Sequence, residues 1–146
     1  MVLRVISGVQ TGENTEDLRS FLTKLDGGAP IRETLVLACD NHEDERPTWT
    51  YVEADAEAGV ARRRCLQCAK VSPLLDSAER WTHPMTWSCG TCNQSIAEVA
   101  VGLSVTEGAL VEWLVVAARC VECGRIDGLT DLVLPQLPLS DVLGGL

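Results

Sequence analysis

Four short ligand pairs in a repeating register constrain this 146-residue chain more than any other feature. Three are C-x-x-C: Cys65–Cys68 in "CLQC", Cys89–Cys92 in "CGTC" and Cys120–Cys123 in "CVEC". The seventh cysteine, Cys39, opens "CDNH" and stands at the same spacing from His42. Laying "CLQCAKVSPLLD" on "CVECGRIDGLTD" matches both cysteines, Leu74 with Leu129 and Asp76 with Asp131. It also sets Leu66 against Val121, Lys70 against Arg125 and Val71 against Ile126, which are chemical equivalents. In that register "CDNH" falls opposite "CGTC", so His42 takes the place of Cys92. The intervals differ, 22 residues between His42 and Cys65 against 27 between Cys92 and Cys120, as a longer hairpin in the second copy would give. The chain reads as a tandem duplication.

Structural zinc takes four soft or borderline ligands in a tetrahedron, and two residues separated by two others on a tight turn can face one ion. Seven cysteines and His42 make two complete sets with nothing left over. Site 1 is expected to be Cys39, His42, Cys65 and Cys68; site 2, Cys89, Cys92, Cys120 and Cys123. The spacing between pairs is longer than is usual for such sites, which reads as longer β-arms. Rival readings remain open at this point. His83 in "WTHPM" could replace His42, the C-x-x-C pairs could be disulfides or redox centres, and the pairs could be cross-braced. The 20 residues between Cys68 and Cys89 argue against cross-bracing, in which the middle pairs usually lie close together.

The ligand pairs, with Gly124 following the last cysteine, resemble the zinc-ribbon group, in which metal knuckles cap β-hairpins. The resemblance covers residues 35–131 and departs from the usual pattern at Ala69, where a knuckle glycine is expected, and at His42. Rubredoxins share the outline but bind iron; the proline and aromatics usual around their knuckles are missing, so two zinc ions are expected. The resemblance implies a β-rich small α+β fold: two tandem zinc ribbons of antiparallel hairpins with a short N-terminal strand–helix–strand lead-in. The expected organisation is a lead-in over 1–34, ribbon 1 over 35–80, ribbon 2 over 81–131 and an apolar tail over 132–146.

Local patterns fill in the elements. "TWTYVEA" (48–54) alternates as a strand with Trp49 and Tyr51 on one face, and "VARRRC" (60–65) returns as its partner. "SIAEVAVGLSV" (95–105) and "LVEWLVVAARC" (110–120) read as strands joined at "TEG". "VLRVIS" (2–7) and "IRETLVLA" (31–38) read as strands too. Between them Asn14 or Thr15 caps a short helix with Asp17 in its first turn and a stripe of Leu18, Phe21, Leu22 and Leu25.

Function is read by elimination. A site with four protein ligands has no open position for water or substrate, and no nucleophile–base set survives once the ligands are assigned, so no enzyme is expected. The formal net charge is -9. Seven thiolates add -7 and two zinc ions +4, giving about -12, a poor match for phosphate. Arg62 and Arg64 share a strand face with Arg63 opposite, so "RRR" is not one basic patch, and direct duplex binding is not expected. What remains is a non-enzymatic zinc protein acting as a protein-interaction module or adaptor for a basic partner or a larger assembly. Arg62, Arg64, Trp49 and Tyr51 are the candidate contacts, and the apolar tail is a possible homodimer seam. The alternatives are a nucleic-acid-associated factor of transcription or translation and a thiol-redox or zinc-release sensor. The chain shows no signal-peptide pattern and no apolar run of ~20 residues, which points to the cytoplasm. Ten Arg against two Lys point to a GC-rich bacterial genome.

Overall fold

A computed structural model of the chain describes residues 4–6, 9–25, 30–43 and 45–146. Its strands run in chain order as β1 (Arg4–Ile6), β2 (Val9–Thr11), β3 (Glu33–Val36), β4 (Trp49–Asp55), β5 (Val60–Cys65), β6 (Val71–Pro73), β7 (Ala97–Val105), β8 (Leu110–Cys120) and β9 (Arg125–Pro138). Two helices join them, α1 (Thr15–Thr23) between β2 and β3 and α2 (Leu139–Gly144) after β9. The fold is a small β-rich α+β fold with an antiparallel sheet, as the alternating runs and the ligand pairs imply.

The strand order is β1-β2-β9-β8-β7-β4-β5-β6, and β3 pairs with β7 off this path. β7 shares one edge between two neighbours: Trp49 and Thr50 of β4 lie against its start, and Glu33–Val36 of β3 lie against Ala100–Leu103. The longer interval of the second copy resolves into two parts. Thr50 and Ala97 each pair with the first cysteine of the closing knuckle. From there to the cysteine is fifteen residues in the first copy and twenty-three in the second. The lead from the first knuckle is shorter by three in the second copy, which leaves the net difference of five seen in the sequence.

The inner face of the sheet holds the larger core. Val99, Val101 and Leu103 of β7 and Leu114, Val116 and Ala118 of β8 meet Val52 and Ala61 of the first hairpin, with Leu37, Leu74 and Val142 closing the cluster. The Thr130 hydroxyl donates to the Asp55 carbonyl at 3.0 Å and holds the tip of the β4–β5 hairpin against β9. The outer face of the second hairpin is covered by α1, whose Leu18 and Leu22 pack on Ala100, Val115 and Ala117 with Ile31 and Ile126. Gly102 is needed there, because a Cβ would sit 2.9 Å from Ile31 and 3.4 Å from Leu22. Asn14 caps α1, accepting from the Asp17 N–H at 3.1 Å, as the sequence implied.

β2, β6, β9 and α2 were not legible, whereas the strand expected at "VLRVIS" is found as β1. Part of the "VLRVIS" run lies outside the described residues; Arg4–Ile6 forms β1 and turns back as β2, which reaches β9 at Ile126 and Arg125. β6 is three residues long. Residues 125–138, partly read as an apolar tail, form β9, the longest strand among those described. Pro135 and Pro138 oppose a long helix there and disfavour a central strand. Beyond Ile126, however, β2 no longer pairs with β9, and prolines are tolerated where a strand edge is open. The chain after β9 folds back, with Val142 fully buried and the Leu75 N–H donating to the Gly145 carbonyl at 2.8 Å.

Candidate metal centres

Each C-x-x-C knuckle is a tight turn followed by a residue with a left-handed backbone. The Ala69 N–H donates to the Cys65 carbonyl at 3.0 Å, that of Asn93 to Cys89 at 2.9 Å and that of Gly124 to Cys120 at 2.9 Å. Their φ angles are 62°, 66° and 82°. A turn of this shape directs both side chains of a C-x-x-C pair to one side, which explains the repeated spacing. The glycine-like role expected after the ligands is therefore filled by Ala69 and Asn93 as well as by Gly124. At Gly124 a side chain is excluded outright, since a Cβ would lie 2.4 Å from the Gly12 carbonyl oxygen.

The hairpins bring the knuckles together in consecutive pairs. Cys39, His42, Cys65 and Cys68 form one cluster and Cys89, Cys92, Cys120 and Cys123 the other; within each, the ligand atoms all lie within 4.8 Å of one another. In the first, the Cys39 and Cys68 Sγ atoms are 3.6 Å apart and Cys65 Sγ lies 3.5 Å from His42 Nε2. In the second, Cys89 and Cys123 are 3.5 Å apart and Cys92 and Cys120 3.4 Å. A tetrahedron with metal–sulfur bonds of about 2.3 Å has S–S edges of about 3.8 Å, and a sulfur–nitrogen edge is slightly shorter. The four contacts above are somewhat shorter than those edges and the rest stay within 4.8 Å, so each cluster could close on one ion, and all seven thiols are free of disulfides. His42 joins the first cluster; His83 is in neither. The first ligand of every pair is buried and the second is more open, so each ion would sit at the rim of the sheet with one side toward solvent.

Electrostatics around the two clusters follow the repeat. The basic residue two positions beyond each last ligand reaches back to the opposite knuckle. Lys70 pairs with Asp40, and Arg125 crosses Gly90 to the Thr91 hydroxyl at 3.0 Å. Both cations are held above their ordinary pKa, Lys70 by its bond to Asp40 and Arg125 by its bond to Asp127. Arg63 turns inward beside the first cluster and donates to the Ala38 carbonyl at 3.2 Å. Burial draws its pKa down, against the opposing pull of Cys39, Asp40 and Cys65. The Asn41 amide lies 3.6 Å from Cys68 Sγ, and that contact is the main cause that brings this thiol down to about 6. Burial raises Cys39 and Cys120. At Cys89 burial is outweighed by the N–H groups of Cys92 and Thr91, which bring the thiol to about 7. Burial also pushes the Cys123 thiol up to about 12, and a divalent ion bound by these groups would displace their protons.

The other sequence candidates lie on the outer face of the first hairpin. Trp49 is exposed and Tyr51 half-buried. Arg62 pairs with Glu53 at 2.9 Å and lies 4.2 Å over the Trp81 ring, while Arg64 lies 4.8 Å over the Tyr51 ring. Sequence reasoning missed the buried pair Arg119–Glu98, at 3.1 Å beside the second cluster. The register of the repeat could have found it, since Arg119 and Glu98 occupy the positions of Arg64 and Tyr51. Among the described residues no helix is long and apolar enough to cross a membrane. No protein family, curated protein or solved structure matches the chain.

Proposed function

We propose that this is a non-enzymatic protein in which two structural zinc ions hold a rigid double ribbon for binding a protein partner. The observation that carries the reading is the pair of four-residue clusters, in each of which the four Cys or His ligand atoms lie within 4.8 Å of one another and could hold one ion. Such a set leaves the metal no open position for water or substrate, and zinc is the ion that such thiolate and imidazole sets favour. Cys39, His42, Cys65 and Cys68 hold one ion and the four remaining cysteines the other. Lys70, Arg63 and Arg125 offset part of the negative charge that the thiolates bring.

Among the described residues, six cations are committed to ion pairs within the fold. Arg19, Arg62, Lys70, Arg80, Arg119 and Arg125 all form ion pairs with carboxylates of the chain. That weighs against a phosphate-tracking role, which requires several free cations along one groove. A cytoplasmic adaptor is the role this arrangement supports best. Native mass spectrometry of protein purified without added metal tests the reading. Two zinc ions in the wild type, with one or a weakened second in His42→Ala, are the expected result. Iron, no metal, or disulfides in the purified protein would overturn it.

A further inference from the structure

The second metal centre is also where the N-terminal arm joins the sheet. Four consecutive residues, Gln10–Glu13, are fastened to residues 119–126, the stretch that carries Cys120 and Cys123. Gln10 and Thr11 pair with Ile126 and Arg125. The Gly12 N–H donates to the Gly124 carbonyl at 2.9 Å, and the Glu13 carbonyl accepts from Arg119 at 3.1 Å. Arg119 also donates to the Cys120 carbonyl at 3.1 Å, so one guanidinium holds both the arm and the backbone of a ligand. Gly124 directly follows the last ligand with φ of 82°, and the turn it completes is what aims its carbonyl at Gly12.

Among the described residues the first centre has no such arm. β6 ends the sheet there, and Val71, in the place of Ile126, is 45% exposed where Ile126 is 2% exposed. Beyond the fastening, α1 lies on Ala100, Val115 and Ala117, and the chain then returns to β7 as β3. Two features leave that docking marginal. α1 has nine residues, and isolated helices shorter than about 12–15 residues are marginal in water, so it persists by its contacts. Asp17 is fully buried against Gly12, with Oδ2 accepting from the Glu13 N–H at 2.7 Å, yet its Oδ1 has no hydrogen-bond partner among the described residues. A buried oxygen left unsatisfied costs free energy that release of the arm into water returns. We infer that the ion at the second centre latches the N-terminal arm. Its departure frees residues 9–23 from the sheet as a unit and uncovers the apolar face of Ala100, Val115, Ala117 and Ile126.

The inference rests on the zinc reading above and adds what the second ion controls. A bound ion ties the Cys120–Cys123 turn to the Cys89–Cys92 turn. Without it, the turn that presents Gly124 keeps the Gly124 N–H bond to the Cys120 carbonyl, at 2.9 Å, as its internal restraint. The middle of the hairpin stands apart from this. Val99 and Val101 of β7 and Leu114 and Val116 of β8 are buried in the inner cluster, which contains no metal ligand. The arm and the hairpin interior therefore respond separately to loss of the ion. Local opening of this kind is read by amide exchange, which reports each segment on its own.

The test is backbone amide hydrogen exchange on the full chain, with bound ions counted by native mass spectrometry. Cys92→Ser removes a ligand from the opposite knuckle and leaves residues 119–126 unchanged. It should bind one zinc ion. Exchange of the Gly12, Glu13 and α1 amides should then accelerate roughly tenfold or more, while Val99, Val101, Leu114 and Val116 stay protected. Cys92→His, which copies the ligand set of the first centre, should bind two ions and restore the arm's protection. Cys68→Ser, which empties the first centre, should leave the arm protected as in the wild type. Gly124→Ala keeps every ligand and puts a Cβ against the Gly12 carbonyl, so it should free the arm with two ions bound. That variant reads the latch even where Cys92→Ser fails to fold. Arm protection unchanged in Gly124→Ala, or in a Cys92→Ser chain that binds one ion, would overturn the inference. So would protection lost together with that of β7 and β8 in both variants, or lost in Cys68→Ser. A wild-type chain without zinc would remove the zinc reading itself, which the ion count reports before any exchange is measured.

Discussion

Thr50 on β4 lies directly opposite Ala97 on β7, and each is paired within its own hairpin with the first cysteine of the closing knuckle. The row Cys65–Thr50–Ala97–Cys120 therefore runs unbroken across four strands from one metal centre to the other. With about 4.8 Å between strands, the two cysteine backbones are about 14 Å apart. Trp49 pairs with Glu98 one step away, so the two copies meet about a local two-fold axis through the Thr50–Ala97 pair. Equivalent hydrogen bonds confirm the relation: the Leu66 N–H donates to the Trp49 carbonyl at 3.2 Å, and that of Val121 to Ile96 at 3.1 Å. The duplication is thus packed as an internal dimer whose two halves share one sheet.

The three left-handed knuckle residues should respond to substitution with different signs. Alanine in this region is strained by roughly 1–2 kcal/mol, of which glycine's greater unfolded-state freedom returns about half. Ala69→Gly should therefore stabilise by about 0.5 kcal/mol, while Asn93→Gly should change little, since asparagine tolerates this conformation. Gly124→Ala adds the same strain and drives a Cβ to within 2.4 Å of the Gly12 carbonyl. The Gly12 N–H donates to the Gly124 carbonyl at 2.9 Å, so β2 must shift as well. A loss of about 3 kcal/mol is expected. Urea melts of the zinc-loaded variants check all three.

The two four-residue clusters were legible because metal chemistry demands particular residues at a fixed spacing, and the repeat supplied His42 where a cysteine was missing. The β4–β5 and β7–β8 hairpins were legible because each alternates or runs apolar between a ligand and a turn. β9 was not, because Gly128, Pro135 and Pro138 break the local pattern and only the long partner β8 imposes a strand. The pairing of β3 with β7 is likewise tertiary: nothing local in "ETLV" says which edge it joins. Trp49 and Tyr51 face outward because Thr50 and Val52 take the inner face, a choice that alternation leaves undetermined.

Protons and zinc should compete at the first centre through His42. Without metal, the Cys65 thiol beside its ring raises the His42 pKa above 6.5. That contribution to the metal-free state is fully present below pH 6.5 and is lost as pH rises through the raised value. Zinc requires the neutral ring and the thiolate, so its binding gains over the same window and expels the proton. On binding zinc the first site should release a ring proton from His42 below that raised value and none above it, a pH-dependent increment that the all-cysteine second site lacks. Calorimetry of zinc binding in buffers of differing ionisation enthalpy measures the difference, which His42→Cys should alter.

The Arg119–Glu98 pair offers a test of the buried outer face. Glu98 Oε1 lies 3.1 Å from the guanidinium, though not aligned as a hydrogen bond, and Glu98 Oε2 accepts from the Thr48 hydroxyl at 2.9 Å. Removing one partner strands the other charge away from water, at a cost of about 3–5 kcal/mol; replacing both with apolar groups is nearly neutral. Glu98→Leu should therefore lower the denaturation midpoint sharply, and Glu98→Leu with Arg119→Met should recover most of it. Equal losses in the single and double variants would show that the pair contributes packing and not charge balance.

Loss of a ligand should spread differently from the two ends of the system. Cys120 is fully buried, ends β8, and stands on the row that reaches Cys65 through Ala97 and Thr50. Cys68 is exposed at the rim, and its nearest contacts are Cys39 and Asn41. Zinc contributes about 10–16 kcal/mol to the folding of isolated zinc-finger peptides, comparable with the whole stability of a small domain. Cys120→Ser should release the second ion, loosen β8 between its two neighbours and weaken the first site too, giving less than one zinc per chain and a loss of β signal. Cys68→Ser should release the first ion and leave β7, β8 and β9 in place, because their core of Val99, Val101, Leu114 and Val116 does not depend on that knuckle. Zinc content with amide hydrogen exchange on the two variants separates the outcomes. Equal protection of β8 in both would show that the shared row transmits nothing from one centre to the other.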